Sequence, residues 1–136
     1  MQQTLIVPMV AHIALVAVLY ALLTIARAPA VWGVGRGRDG GNPWLDVERR
    51  ISANLSNQFE WPLFFHVACV ILLQFPPSRT GFVLAWLFVV GRLLHSAVQV
   101  LTQNVRLRGV VFTINFLAVL GLWVLAIRAV GDSPAL

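Results

Sequence analysis

The sequence has no lysine, one cysteine, one tyrosine and only five acidic residues. Charged side chains make up 11% of its 136 residues, less than half of the roughly 25% usual in soluble domains, which excludes an ordinary water-soluble surface. The lone Cys69 excludes an intrachain disulfide and, inside an apolar segment, reads as a small buried hydrophobe. All ten basic residues are arginines and the net charge is +5. A nucleic-acid surface needs such charges clustered on one soluble face. Here they lie mainly between apolar segments, so nucleic acid is excluded as a partner and the charge reports on membrane topology. The "GVGRG" stretch lacks a preceding strand and a following Lys-Ser/Thr pair, so it is a flexible linker and not a phosphate cradle. There is no internal repeat and no low-complexity tail.

What is present is apolar: 59% of the residues are hydrophobic and the mean hydropathy is +0.82. Four segments, 4–26, 55–75, 81–101 and 110–128, each approach the ~20 residues that cross ~30 Å of hydrocarbon. The first follows "MQQ" without a basic leader region and is expected to be retained. Between the first two lies a Gly-, Pro- and Arg-rich stretch, 27–50, expected to be a cytoplasmic loop with Trp32 and Trp44 near the interface. The other connections, "PPSRT" and "TQNVRLRG", are short. The expected fold is an all-α integral membrane protein, an antiparallel bundle of four transmembrane helices in one domain. Arginines in the first and third loops outnumber those on the other side, so the positive-inside rule places both termini on the non-cytoplasmic side.

Ionisable groups at bilayer depth cost ~2.5–3.5 kcal/mol on insertion scales and therefore need partners inside the bundle. Arg50, Asn57 and Glu60 fall within about 80° on the second helix, and so do Arg92, His95, Gln99, Gln103 and Arg106 on the third if that helix continues into its loop. Glu60 and Arg92 lie at similar depths, ~13 and ~15 Å from the cytoplasmic side. The expectation is a Glu60–Arg92 ion pair, with Asn57 completing the network or contacting a ligand. Such a pair serves either to build a site or merely to fix helix register. Pro62 leaves the Gln58 carbonyl without a helical donor, so a kink is expected beside the polar groups. His12, His66 and Asn115 read as isolated interhelical hydrogen-bonders, and the three histidines lack the spacing of a helical metal site.

Arg50, Asn57, Glu60 and the following "WPLFF" form a pattern that resembles the MAPEG family, membrane-associated proteins in eicosanoid and glutathione metabolism; "FVVGRLLHS" and the later "VRLRG" resemble its second block. The likeness spans nearly the whole chain and points to a bacterial branch, hence the bacterial inner membrane. It implies a homotrimer that binds glutathione between subunits near the cytoplasmic side. By motif match Arg50, Asn57, Glu60, Arg92, His95 and Gln99 would hold glutathione, and Arg106 or Arg108 would activate its thiol. Gln99 stands where the best-known catalytic members carry a tyrosine, and the chain's only tyrosine, Tyr20, is in the first segment.

Two arginine-bearing stripes suit the carboxylates of glutathione, because a guanidinium holds a carboxylate with two parallel bonds. The implied function is a glutathione-dependent transferase or peroxidase acting on a lipophilic small molecule, an electrophile or hydroperoxide, drawn from the membrane lipids. The alternatives are a non-enzymatic lipid- or partner-binding protein of the same fold and a small proton-coupled exporter using Glu60.

Overall fold

The computed structural model describes residues 4–132, and the helices in it number five: α1 (Ile6–Trp32), α2 (Leu45–Asn57), α3 (Trp61–Leu72), α4 (Arg79–Leu101) and α5 (Val105–Gly131). Three of them, α1, α4 and α5, are each long and apolar enough to cross a membrane. Their exposed residues are largely Val, Leu and Ile, a surface suited to acyl chains and not to water.

The predicted loop 27–50 is shorter than expected because both flanking helices invade it. α1 runs past Arg27 and Pro29 to a left-handed C-cap at Gly33, φ 71°, a conformation that favours glycine. Its polar end is held by the start of α2: Arg27 Nε donates to Glu48 Oε1 at 2.9 Å, and Asn42 Nδ2 donates to the Ala26 carbonyl at 3.0 Å and to Glu48 Oε2 at 3.1 Å. α2 carries Asp46 and Glu48 in its first turn, where negative charge complements the helix dipole. This helix is amphipathic and polar, so a search for apolar runs passes over it.

The predicted second segment, 55–75, is not one helix. α2 ends at Asn57 and α3 begins at Trp61, with Gln58, Phe59 and Glu60 between them. Pro62 sits in the first turn of α3, where its missing N–H costs nothing. The expected kink is thus a full break, and Glu60 becomes the N-cap residue of α3 with φ −88° and ψ −96°. At 12 residues, α3 is only about 18 Å long and needs α2 to extend it.

α4 is capped by Ser78, whose hydroxyl accepts from Gly81 N at 3.3 Å, and α5 by Asn104, whose Oδ1 accepts from Leu107 N at 3.0 Å. Those caps fix the last two helices, and the Asn104 cap starts α5 five residues earlier than predicted. α4 stops at Leu101, so the expected continuation of its polar stripe through Gln103 and Arg106 does not occur: Gln103 lies in the connection and Arg106 in the first turn of α5.

Two apolar clusters hold the helices together. One lies among α3, α4 and α5 and includes Phe65, Cys69, Phe88, Val119 and Leu122, with Phe65 and Phe88 stacked at 4.1 Å. The other joins α1 to α2 through Leu19, Leu23, Ile51 and Leu55. α4 and α5 make the most extensive helix pair, and close approach there needs Gly91, where a Cβ would overlap the Asn115 amide. Asn115 is fully buried and neither of its amide atoms has a hydrogen-bond partner among the described residues. The expectation that it bonds between helices is therefore corrected: it packs on the Gly91 backbone.

Candidate functional site

Between the two apolar clusters lies a layer of buried polar side chains organised around Arg92, which is 1% exposed. Its Nε and Nη2 both donate to Gln58 Oε1, at 3.1 and 3.0 Å, and Nη2 also donates to the Asn57 carbonyl at 2.7 Å. The break between α2 and α3 makes this possible, because it frees backbone oxygen from the helical ladder and places it beside a membrane-depth cation. Gln58 Nε2 donates in turn to Asn54 Oδ1 and Ser96 Oγ, both at 3.1 Å. Gln99 Oε1 accepts from Asn54 Nδ2 at 3.0 Å and from Asn57 Nδ2 at 3.2 Å.

The expected Glu60–Arg92 ion pair does not form. The only ion pair among the described residues is Arg27–Glu48, and Glu60 is exposed. A neutral amide oxygen and a main-chain oxygen take the place of the carboxylate, which removes the need to desolvate a second charge. His12 and His66 are not isolated either. His12 Nδ1 lies 3.0 Å from His66 Nε2, and His12 Nε2 lies 3.1 Å from Gln58 Oε1, so both belong to the same network as Arg92.

Glu60 and Arg92 nevertheless line one cavity of about 760 Å³, together with Asn57, His95 and Arg108. Its remaining wall is largely aromatic and aliphatic, from Phe59, Trp61, Leu63, Phe64 and Phe112. The volume falls in the roughly 300–1,000 Å³ range of small-molecule sites, as does the mixture of an apolar wall and a few polar groups. His95 Nδ1 and Trp61 Nε1 are buried without a partner among the described residues, and both residues line this cavity. Two guanidinium groups face it against one carboxylate, so the cavity favours an anion.

A second cavity of about 330 Å³ adjoins it and is lined by Arg49, Arg50, Gln99 and Gln103. Val105 and Arg108 belong to the walls of both. Arg50 is anchored there, its Nη1 donating to the Val100 carbonyl at 3.1 Å. Thus the eight sequence-predicted residues divide three ways. Asn57, Glu60, Arg92, His95 and Arg108 share the larger cavity, Arg50 and Gln99 lie in the smaller one beside Arg108, and Arg106 is exposed and lines neither.

Sequence reasoning passed over Asn54, Gln58 and Ser96, all buried and hydrogen-bonded in the polar layer. One signal was legible: a buried arginine needs several acceptors, and Gln58 is the amide nearest to Glu60 in the chain.

No curated protein and no solved structure matches the chain. The family model described as the MAPEG family matches residues 5–128, a stretch that contains all five helices except the last residues of α5 and every residue of both cavities. On that match the chain belongs to the MAPEG family.

Proposed function

We propose that the protein is a membrane-embedded, glutathione-dependent transferase or peroxidase acting on lipophilic electrophiles or hydroperoxides. In this reading the chain crosses a bacterial inner membrane four times, alternately up and down, with α2 and α3 sharing the second crossing. Both termini lie on the non-cytoplasmic side, and three copies assemble.

The observation that carries the reading is the larger cavity, where Arg92, Arg108, Asn57, Glu60 and His95 meet an apolar wall. Glutathione presents two carboxylates, an ammonium, amide groups and a thiol. The residues fit that set: guanidinium groups for carboxylate, Glu60 for the ammonium, and the unpartnered nitrogens of His95 and Trp61 for the peptide groups. A bound glutathione would supply a nucleophilic thiolate. A free thiol with pKa near 8.5 is mostly protonated at neutral pH, and the exposed Arg108 guanidinium on the cavity wall would favour the ionised form. Arg106, which lines neither cavity, is the weaker candidate for that role. The apolar wall would admit the lipophilic co-substrate.

Gln99 would meet a ligand through its Nε2 and not its oxygen, because its Oε1 is already shared by Asn54 and Asn57. Calorimetric titration of purified protein with glutathione, and with an analogue lacking the sulfur, tests the reading. Saturable binding of both, with turnover of a lipophilic electrophile or hydroperoxide by glutathione alone, is expected. Absence of any binding by the protein in lipid would refute it.

One observation favours a second reading, a non-enzymatic lipid- or partner-binding protein. Two of the three Arg92 guanidinium nitrogens are consumed by internal bonds, which is what a purely structural arginine would show. Binding without turnover across a panel of electrophiles and hydroperoxides would select it.

A further inference from the structure

On the other side of the α2–α3 break from the arginine cavity lies a separate cavity of about 230 Å³, bounded by His12, Ile13 and Val16 of α1, by Gln58 and Phe59, and by Leu63 and His66 of α3. Phe59 and Leu63 also line the larger cavity, so the same short segment walls both. The lining is apolar except for Gln58 and the two histidines.

Hydrogen-bond bookkeeping fixes what the polar end of this cavity offers. A guanidinium can only donate, so the Gln58 atom facing Arg92 must be the oxygen. That oxygen accepts, so His12 Nε2 must carry a proton. With the Arg92 cation on the same amide, a second cation on the buried His12 ring is disfavoured, and a neutral ring leaves Nδ1 as an acceptor. His66 Nε2, 3.0 Å away, must then donate to it. On a neutral His66 ring the remaining nitrogen, Nδ1, carries a lone pair, and the only ring hydrogen bond of His66 among the described residues is the one at Nε2. Arg92 from one side and the His66–His12 pair from the other therefore both donate toward Gln58 Oε1, and the histidine arm ends in a free acceptor on a residue that lines the cavity.

We infer that this cavity is a lateral binding site for a neutral membrane lipid presenting an O–H donor, with His66 Nδ1 as the acceptor and Ile13, Val16, Phe59 and Leu63 around the first carbons of its chain. Alcohols and alkyl hydroperoxides share that chemistry, whereas an ether or an ester has no proton to give. A carboxylate would place its charge against a lone pair. The volume holds a head group and a few methylenes, leaving the tail in the bilayer. The site stands apart from thiol chemistry: it uses none of the residues assigned to glutathione except, through Gln58, the position of Arg92.

The test uses the full chain in lipid nanodiscs with ¹⁵N-labelled histidine side chains, titrated with 1-dodecanol, dodecyl hydroperoxide and methyl dodecyl ether. Before any addition, His12 and His66 are expected as neutral rings protonated at Nε2. A saturable shift of the His66 Nδ1 resonance is expected with an O–H ligand and none with the ether. Which of the two O–H ligands shifts it at lower concentration names the source. Ile13→Trp, at an exposed position, fills the cavity and is expected to abolish the shift while leaving both tautomers unchanged. A proton on His66 Nδ1 in the free protein, equal shifts with the ether, or no shift with either O–H ligand would overturn the inference. If the tryptophan variant fails to fold, the comparison of alcohol with ether in the unaltered protein still decides.

Discussion

Arg92 and Arg108 border the same cavity but live under opposite constraints. Arg92 is buried in the bundle with two of its three guanidinium nitrogens bonded to Gln58 and the Asn57 carbonyl, whereas Arg108 is exposed at the wall between two cavities. A buried cation must be fully solvated by the protein and thereby becomes part of the fold. An exposed one retains its donors for a ligand. The same residue type thus builds the chamber in one place and is available to react to its contents in the other.

The largest effect expected from breaking this contrast is Gln58→Leu, which strips the Arg92 cation of the oxygen serving both Nε and Nη2. Loss of about 3 kcal/mol or more is expected in reversible unfolding from detergent micelles. Adding Arg92→Leu to Gln58→Leu should restore much of that stability, because it removes the unsatisfied charge. A double variant no better than the single one would mean that Arg92 is not held by Gln58.

Gly91→Leu comes next. It would drive a side chain into the buried Asn115 amide and force α4 from α5, at a cost of about 1–3 kcal/mol in the same assay. Arg108→Ala should change stability by less than about 0.5 kcal/mol yet weaken glutathione binding by roughly 10- to 100-fold, the range for one hydrogen bond to a charged group. The smallest effect is expected for Arg27→Ala. Its ion pair with Glu48 is 45% exposed on the arginine side, and such surface pairs contribute about 0.2–1 kcal/mol.

The sequence made the apolar helices legible, because α1, α4 and α5 are long and strongly apolar even with Arg92 inside α4. It concealed α2, which is polar, carries Asp46 and Glu48 in its first turn and is held by contacts of Ile51 and Leu55 with α1. It located the polar residues in sequence but mispaired them. Helical spacing places Glu60 and Arg92 at one depth, but spacing assumes an unbroken helix. Pro62 converts the assumed kink into a break that exposes the Asn57 carbonyl and brings Gln58 onto the arginine. The His12–His66 contact was invisible for a different reason. Its partners are 54 residues apart, and no local pattern reports which faces of α1 and α3 meet.

The division of labour between the two arginines is tested most directly by titrating glutathione calorimetrically into the unaltered protein, Arg106→Ala and Arg108→Ala, each also measured for its unfolding midpoint. Equal affinity is expected for the first two, an affinity at least about tenfold weaker for Arg108→Ala, and the same midpoint for all three. Undiminished binding by Arg108→Ala, or a loss matched by Arg106→Ala, would contradict it.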